Sequence, residues 1–258
     1  MWIKICGVTR PVDAIVVARS GADAIGLNFF AGSRRCVSAQ TARQIVAALG
    51  RRAETVPSRE SPAGVPEPAF DSGGGHPEIV GVFVNSAPAH VSQIVDDAGL
   101  TAVQFHGDET ADQIAEFHEL QPGIPIIRAI RLRREDSTAS LRSLERLLAA
   151  VPLAACLLDA HVAGEYGGTG RTVDPDLVRC CQASFTGLRL ILAGGLTPEN
   201  VGMAIAELRP WGIDTASGVE IQPGIKDADR VTAFVDAAAR FRQAGSIGTN
   251  QDRRRLRD

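Results

Sequence analysis

Along most of the chain, short apolar runs of strand length alternate with longer stretches whose apolar residues recur every three or four positions. Trp2–Cys6 reads as a first strand. Val12, Ile15, Val16 and Arg19 then share one helical face, with Thr9 as the expected N-cap, Pro11 in the first turn and Gly21 as the stop. Ala24–Asn28 reads as a second strand, and Ser38 caps a helix striped by Ala42, Ile45, Val46 and Leu49. Ile79–Val84 is apolar on both faces and reads as a fully buried strand, with Val91, Ile94, Val95 and Ala98 on the helix after it. Thr101–Phe105 and Ile124–Ile130 follow as strands. Their helices carry Ile114, Phe117 and Leu120, starting from Asp108, and then Leu141, Leu144, Leu147 and Leu148. A sixth run, Ala154–Leu158, ends in Asp159, and Asp174-Pro175 opens the next helix with a cap followed by proline. Leu190–Ala193 is the seventh run; Thr197-Pro198 repeats the opening signal ahead of Val201, Ile205 and Leu208. Ile213–Ala216 is the last, before a helix around Val231, Phe234, Val235 and Ala238.

About eight such strand–helix units predict an α/β fold, an eight-stranded parallel (βα) TIM barrel spanning 1–245 as a single domain. The rhythm fails at 51–77, where Pro57, Pro62, Pro66, Pro68 and Gly73-Gly74-Gly75 replace the periodic apolar residues, so a flexible surface insertion is expected there. Its place after the second helix puts it at the end of the barrel away from the chemistry. The basic tail at 246–258 is expected to be disordered.

Composition narrows the function classes. At 258 residues with 45% hydrophobic and 22% charged, the chain can bury the core of one such barrel. A formal net charge of −3 supplies no basic face for a nucleic-acid partner. The five cysteines are scattered and form no Cys-x-x-Cys pair, so neither a disulfide framework nor a zinc site is suggested. With no leader pattern and no apolar run of spanning length, no membrane partner and a reducing cytoplasmic setting are expected. Monomer and homodimer both remain open.

Chemistry in this fold gathers at the C-terminal ends of the strands. Three late strand ends open onto loops of small residues: Gly164–Gly170 after Asp159, Gly194-Gly195 after the seventh strand, and Ser217-Gly218 after the eighth. Their main-chain N–H groups suit phosphate oxygens, and this is where such barrels hold a substrate phosphate. The reactive side chains at strand ends are Cys6, Arg35, Gln104, His106, Arg128, Asp159 and Asp214. Alternation puts Asp159 with Leu157 inside the barrel and Leu158 outside, and Cys6 with Lys4 inside, with Ile3 and Ile5 facing the helices. Cys6 and Asp159 could then flank a sugar as base and acid, without a cofactor. Blander readings stand beside this one. Cys6 also fits a small buried hydrophobe, Asp159 a loop cap for Val162 or Ala163, His106 a structural hydrogen-bonder and Arg35 a surface charge.

Assembled in order, Lys4-Ile5-Cys6-Gly7-Val8-Thr9, Gly26–Phe29 with Ser33-Arg34-Arg35, Gly81–Asn85, Val103–Gly107, Leu158-Asp159-Ala160 through Gly170, Ala193–Pro198, and Ser217–Glu220 with Pro223–Asp227 resemble phosphoribosylanthranilate isomerase of tryptophan biosynthesis. The resemblance implies an Amadori rearrangement of N-(5-phosphoribosyl)anthranilate, with Asp159 as general acid on the ring oxygen and Cys6 as base at C2. It implies substrate-binding roles for Arg35, facing the anthranilate carboxylate, and for His106 and Asp214. The phosphate would be held by Gly168, Thr169, Gly170, Gly194, Gly195, Ser217 and Gly218. No metal or organic cofactor is implied, and the partner is a small phosphorylated sugar. A histidine-pathway isomerase on the same scaffold would show two similar halves and an aspartate near the first strand's end, where this chain has Cys6.

Overall fold

The computed structural model describes residues 1–50, 70, 76–132, 137–160 and 174–244. Its strands are β1 (Trp2–Cys6), β2 (Ala24–Asn28), β3 (Glu78–Phe83), β4 (Ala102–Phe105), β5 (Ile126–Leu132), β6 (Ala155–Ala160), β7 (Leu190–Leu192) and β8 (Gly212–Thr215). They pair in parallel and in chain order, and the sheet closes where Lys4 of β1 lies opposite Asp214 of β8. Helices α1 (Pro11–Arg19), α2 (Ala39–Ala48), α3 (Pro88–Ala98), α4 (Ala111–Leu120), α5 (Ser137–Ala150), α6 (Pro175–Ser184), α7 (Val201–Leu208) and α8 (Ala228–Ala244) complete the TIM barrel expected from the sequence.

Strand parity sorts the core into two layers. Ile3, Ile5, Leu27, Phe83, Phe105 and Leu158 pack outward against helix residues such as Ile45, Phe117 and Phe234. Ala24, Val80, Ala102, Ile127, Leu157 and Ile191 fill the barrel interior. The interior residues are mostly small or medium because side chains from strands all round the barrel must share that space.

Local rules explain where several boundaries differ from expectation. β5 begins at Ile126 because Pro125 has no N–H for the ladder; its carbonyl still accepts from Val103 N at 3.0 Å. Thr9 does not cap α1. Its hydroxyl donates to the Gly224 carbonyl at 2.6 Å, while Arg10 holds the N-cap position without a side-chain cap. α4 starts at Ala111, where Thr110 at the N-cap forms a reciprocal capping box with Gln113 in the first turn, and not at Asp108. Thr197 and Asn200 form a turn closed by Thr197 N–H to Asn200 Oδ1 at 2.8 Å, so α7 begins only at Val201. After β8 the chain makes a short 3₁₀ turn (Ser217–Val219) and an antiparallel hairpin, β9 (Glu220–Gln222) and β10 (Ile225–Lys226), that strand periodicity did not announce. Gly224 turns that hairpin at φ 86°, a region L side chains avoid.

Phe70 departs from the expectation of a purely surface segment between α2 and β3. It is 7% exposed, and its ring lies 5.1 Å from Trp2 and 5.7 Å from Trp211, which is itself 5.4 Å from Trp2. Trp2 starts β1 and Trp211 precedes β8, so this aromatic group closes the N-terminal end of the barrel. Among the described residues no helix is long and apolar enough to cross a membrane.

Candidate active site

At the opposite end, one cavity is lined by Cys6, Arg35, Gln104, His106, Asp159, Asp214, Gly194, Gly195 and Ser217, among others. Residues spread from the first strand to the eighth therefore converge on one space, as strand parity predicted for Cys6 and Asp159. Gly168, Thr169 and Gly170 lie outside the described residues. Gly218 follows Ser217 at the cavity's edge without lining it, and a Cβ there would collide with the Leu196 carbonyl. Arg128 is not turned to the cavity. Its position opposite Cys156 gives it outward parity, and its guanidinium is committed to Glu109 at 2.6 Å and to the Gly107 carbonyl at 3.1 Å. Glu109 also accepts from Asn85 N at 2.7 Å and Gly107 N at 2.9 Å, so this buried pair clamps the loop that follows His106.

Cys6 shares its strand face with Lys4, which is 0% exposed and bound to Asp214 at 2.8 Å. Burial pushes the Cys6 thiol above its ordinary range, and the Lys4 and Lys226 ammoniums oppose it only in part. Burial also works to lower Lys4, yet Asp214 and Cys6 outweigh it and hold the ammonium above its usual value. Asp214 is raised by its burial, with Lys4 working against the rise.

His106 connects two other cavity residues. Gln104 places its amide nitrogen 2.7 Å from Nδ1, and Nε2 lies 3.2 Å from Asp159 Oδ2. The ring thus bridges the Gln104 amide and the Asp159 carboxyl group, its donor and acceptor roles following the tautomer. The imidazole therefore orients the Asp159 side chain.

Arg35 is gripped by a residue to which sequence reasoning gave no role. Its Nε and Nη2 donate to the Glu220 carboxylate at 2.9 and 2.7 Å, and Glu220 also accepts from Lys226 Nζ at 2.8 Å. The hydrogen bond to Glu220 raises the Arg35 guanidinium further. Burial works to raise Glu220, but Arg35 and Lys226 carry its carboxyl below the ordinary range. Burial lowers Lys226, with Glu220 opposing. The available signal was parity and context: Lys4 is an inward lysine facing Asp214 across the closure, and Glu220 and Lys226 flank the Pro223-Gly224 turn.

Gly194 and Gly195 sit at φ 85° and 60°, turning the loop after β7 at the cavity wall. Among the described residues no hydrogen bond takes up their N–H groups, while Asn200 Nδ2 secures the Gly195 carbonyl at 2.9 Å. Thr215 Oγ1 joins this loop to β8 by donating to the Leu196 carbonyl at 2.7 Å. Two adjacent donors in such a turn can receive an anion. Among the described residues no cluster of His, Cys, Asp or Glu is arranged to hold a metal ion.

Known proteins resemble the chain in sequence and fold. Residues 69–237 match the family model described as N-(5'phosphoribosyl)anthranilate (PRA) isomerase. The N-(5'-phosphoribosyl)anthranilate isomerase of Pseudomonas aeruginosa is 41% identical over 235 residues, covering 91% of this chain and 93% of that protein. The crystal structure of phosphoribosyl anthranilate isomerase from Thermotoga maritima superposes with a TM-score of 0.70 at 33% identity, covering 93% of this chain and 98% of its own. A second structure, of such an isomerase in complex with reduced 1-(o-carboxyphenylamino)-1-deoxyribulose 5-phosphate, gives a TM-score of 0.67 at 32% identity, with 93% and 98% covered. By family model, curated relatives and fold alike, the chain belongs to the N-(5'-phosphoribosyl)anthranilate isomerase family.

Proposed function

We propose that this isomerase of tryptophan biosynthesis converts N-(5-phosphoribosyl)anthranilate to 1-(2-carboxyphenylamino)-1-deoxyribulose 5-phosphate with Asp159 as general acid and Cys6 as general base. The observation that carries the reading is that both residues line one cavity, with Arg35 and the loops after β7 and β8 around it. Asp159 gives its proton to the furanose ring oxygen as the C1–O bond breaks, and the nitrogen lone pair forms a protonated Schiff base. His106 Nε2, 3.2 Å from Asp159 Oδ2, then lies beside the carboxylate that remains. The Cys6 thiolate removes the proton from C2, and the electron pair neutralises the iminium to give the enolamine, which tautomerises to the ketone.

Electrostatics favours that order. Lys4 and Lys226 flank Cys6, but each is paired with a carboxylate, Asp214 or Glu220, so burial decides and the thiol is raised. The iminium formed by the acid step adds a positive charge beside the sulfur, while the substrate's own anthranilate carboxylate is taken up by Arg35. The base is thereby favoured after the ring has opened. Arg35 faces the anthranilate carboxylate, and Asp214, held by Lys4, is available to a sugar hydroxyl. The N–H groups at Gly194-Gly195 and Ser217-Gly218, together with Gly168, Thr169 and Gly170, take the phosphate.

Freshly made phosphoribosylanthranilate supplies the test, read by loss of anthranilate fluorescence. Cys6→Ala and Asp159→Asn should each lower turnover about a hundredfold or more, the scale for positioned acids and bases, with ligand binding retained. Near-normal turnover in either variant removes that residue from its role.

A further inference from the structure

Arg35 and Glu220 meet along one edge of the guanidinium. Nε and Nη2 donate to the two carboxylate oxygens, which leaves the other edge, Nη1 with the second Nη2 proton, for a ligand in the cavity that Arg35 lines. A carboxylate beside Arg35 would by itself cancel the charge that an anionic substrate group needs. Lys226 changes this balance. Its side chain is 0% exposed, and its Nζ has three acceptors: Glu220 Oε1 at 2.8 Å, the Cys6 carbonyl at 2.6 Å and the Ala216 carbonyl at 3.1 Å. Three acceptors use all three protons of an ammonium. Two cations thus share one carboxylate, and the group keeps one net positive charge.

The Arg35 side chain is also fixed from below. A Cβ on Gly7 would collide with Arg35 Cδ, so the absence of a side chain at position 7 is what lets the arginine stem lie against the main chain of the first loop. Its remaining freedom is rotation of the guanidinium plane, and the two-point contact with Glu220 removes it.

We propose that Glu220, neutralised from behind by Lys226, is a positioning and specificity residue that aims the free edge of Arg35 at a carboxylate on the aromatic part of the substrate. This rests on the isomerase reading above and deepens it. The pair makes the site select for the carboxylate, because a planar fork held in one orientation rewards a planar anion and gains little from a neutral ring. Neither Glu220 nor Lys226 touches the reacting atoms.

The experiment compares phosphoribosylanthranilate with N-(5-phosphoribosyl)aniline, the same sugar without the carboxylate. In the unaltered protein kcat/KM should favour the first. Glu220→Gln keeps the volume but offers only one acceptor to a two-donor edge, and it should shrink that preference about tenfold, mainly through KM for the carboxylated substrate. In an Arg35→Met background the same change should have no further effect on the preference. If Glu220→Gln fails to fold by circular dichroism, Glu220→Asp reads the same quantity, since it keeps the charge and retracts the carboxylate by one methylene. Equal losses on both substrates, or independent effects of the Arg35 and Glu220 changes, overturn this proposal alone. No turnover of phosphoribosylanthranilate by the unaltered protein overturns the isomerase reading itself.

Discussion

Replacing Lys4 with Met separates two consequences of one buried charge. Met matches the length of the lysine stem but leaves the Asp214 carboxylate, itself buried, without the ammonium now 2.8 Å away. Breaking a buried pair from one side costs about 3–5 kcal/mol, a large part of the roughly 5–15 kcal/mol that holds a typical domain folded. The deficit should appear as a lower urea midpoint at neutral pH. Its pH dependence has a definite sign. Folding raises Lys4, so its contribution is complete below its unfolded value of about 10.4 and is lost only as pH rises through the higher folded value. Variant and parent should therefore differ most through mildly alkaline pH, converge in strong alkali, and converge also towards acid, where the orphaned Asp214 takes up a proton. The second consequence falls on Cys6, where Lys4 is the largest of the influences that lower the thiol. Without it the thiolate becomes scarcer, and alkylation of Cys6 by iodoacetamide at fixed pH should slow by about tenfold. Peptide mapping keeps Cys6 apart from the exposed Cys36 and Cys180. Adding Asp214→Leu should recover most of the stability, because the orphaned charge is gone, and part of the alkylation rate, because Asp214 raises the thiol. Unchanged or faster alkylation in Lys4→Met, or a double variant less stable than the single, refutes the reasoning.

Two further outcomes test other parts of the molecule. Phe70→Ala should lower stability by about 2–4 kcal/mol while leaving kcat/KM near that of the parent, because the ring is buried at the end of the barrel away from the cavity. The chain's two tryptophans both border Phe70, so their fluorescence reports its loss directly, and an unchanged melt and spectrum would dismiss the packing role. Gly218→Ala forces the loops after β7 and β8 apart at the Leu196 carbonyl, and KM should rise about tenfold or more with a smaller change in kcat. An unchanged KM would show that these loops do not jointly hold the substrate.

The strands were legible because parity and barrel closure leave a sequence little freedom. An apolar run flanked by amphipathic helices can be buried on both faces in only a few ways, and residues two apart must then share a side. Ile3 and Ile5 against Lys4 and Cys6, or Leu158 against Leu157 and Asp159, follow from that alone. Loop geometry carried no such constraint. Thr9 looks like an N-cap in one dimension, yet its hydroxyl is taken by Gly224, a partner 215 residues away that no local rule can see. Phe70 sits among prolines and glycines without periodicity, and its burial depends on a surface that Trp2 and Trp211 form together only once the barrel has closed.

The pairings of charge were the least visible part, and they govern the chemistry. Sequence reasoning singled out the groups that could react, Cys6 and Asp159, together with Arg35, His106 and Asp214. Each of the last three has its first partner elsewhere in the protein: Glu220 for Arg35, Gln104 for His106, Lys4 for Asp214. A charged side chain buried without such a partner would be driven neutral or out to solvent, so the supporting residues determine which reactive groups can exist at the cavity wall at all. Cys6 is the exception: it touches two cations, yet both are already balanced, and its thiol stays raised. In the proposed mechanism a base kept in that state is called into action by a charge generated on the substrate, which ties removal of the C2 proton to ring opening.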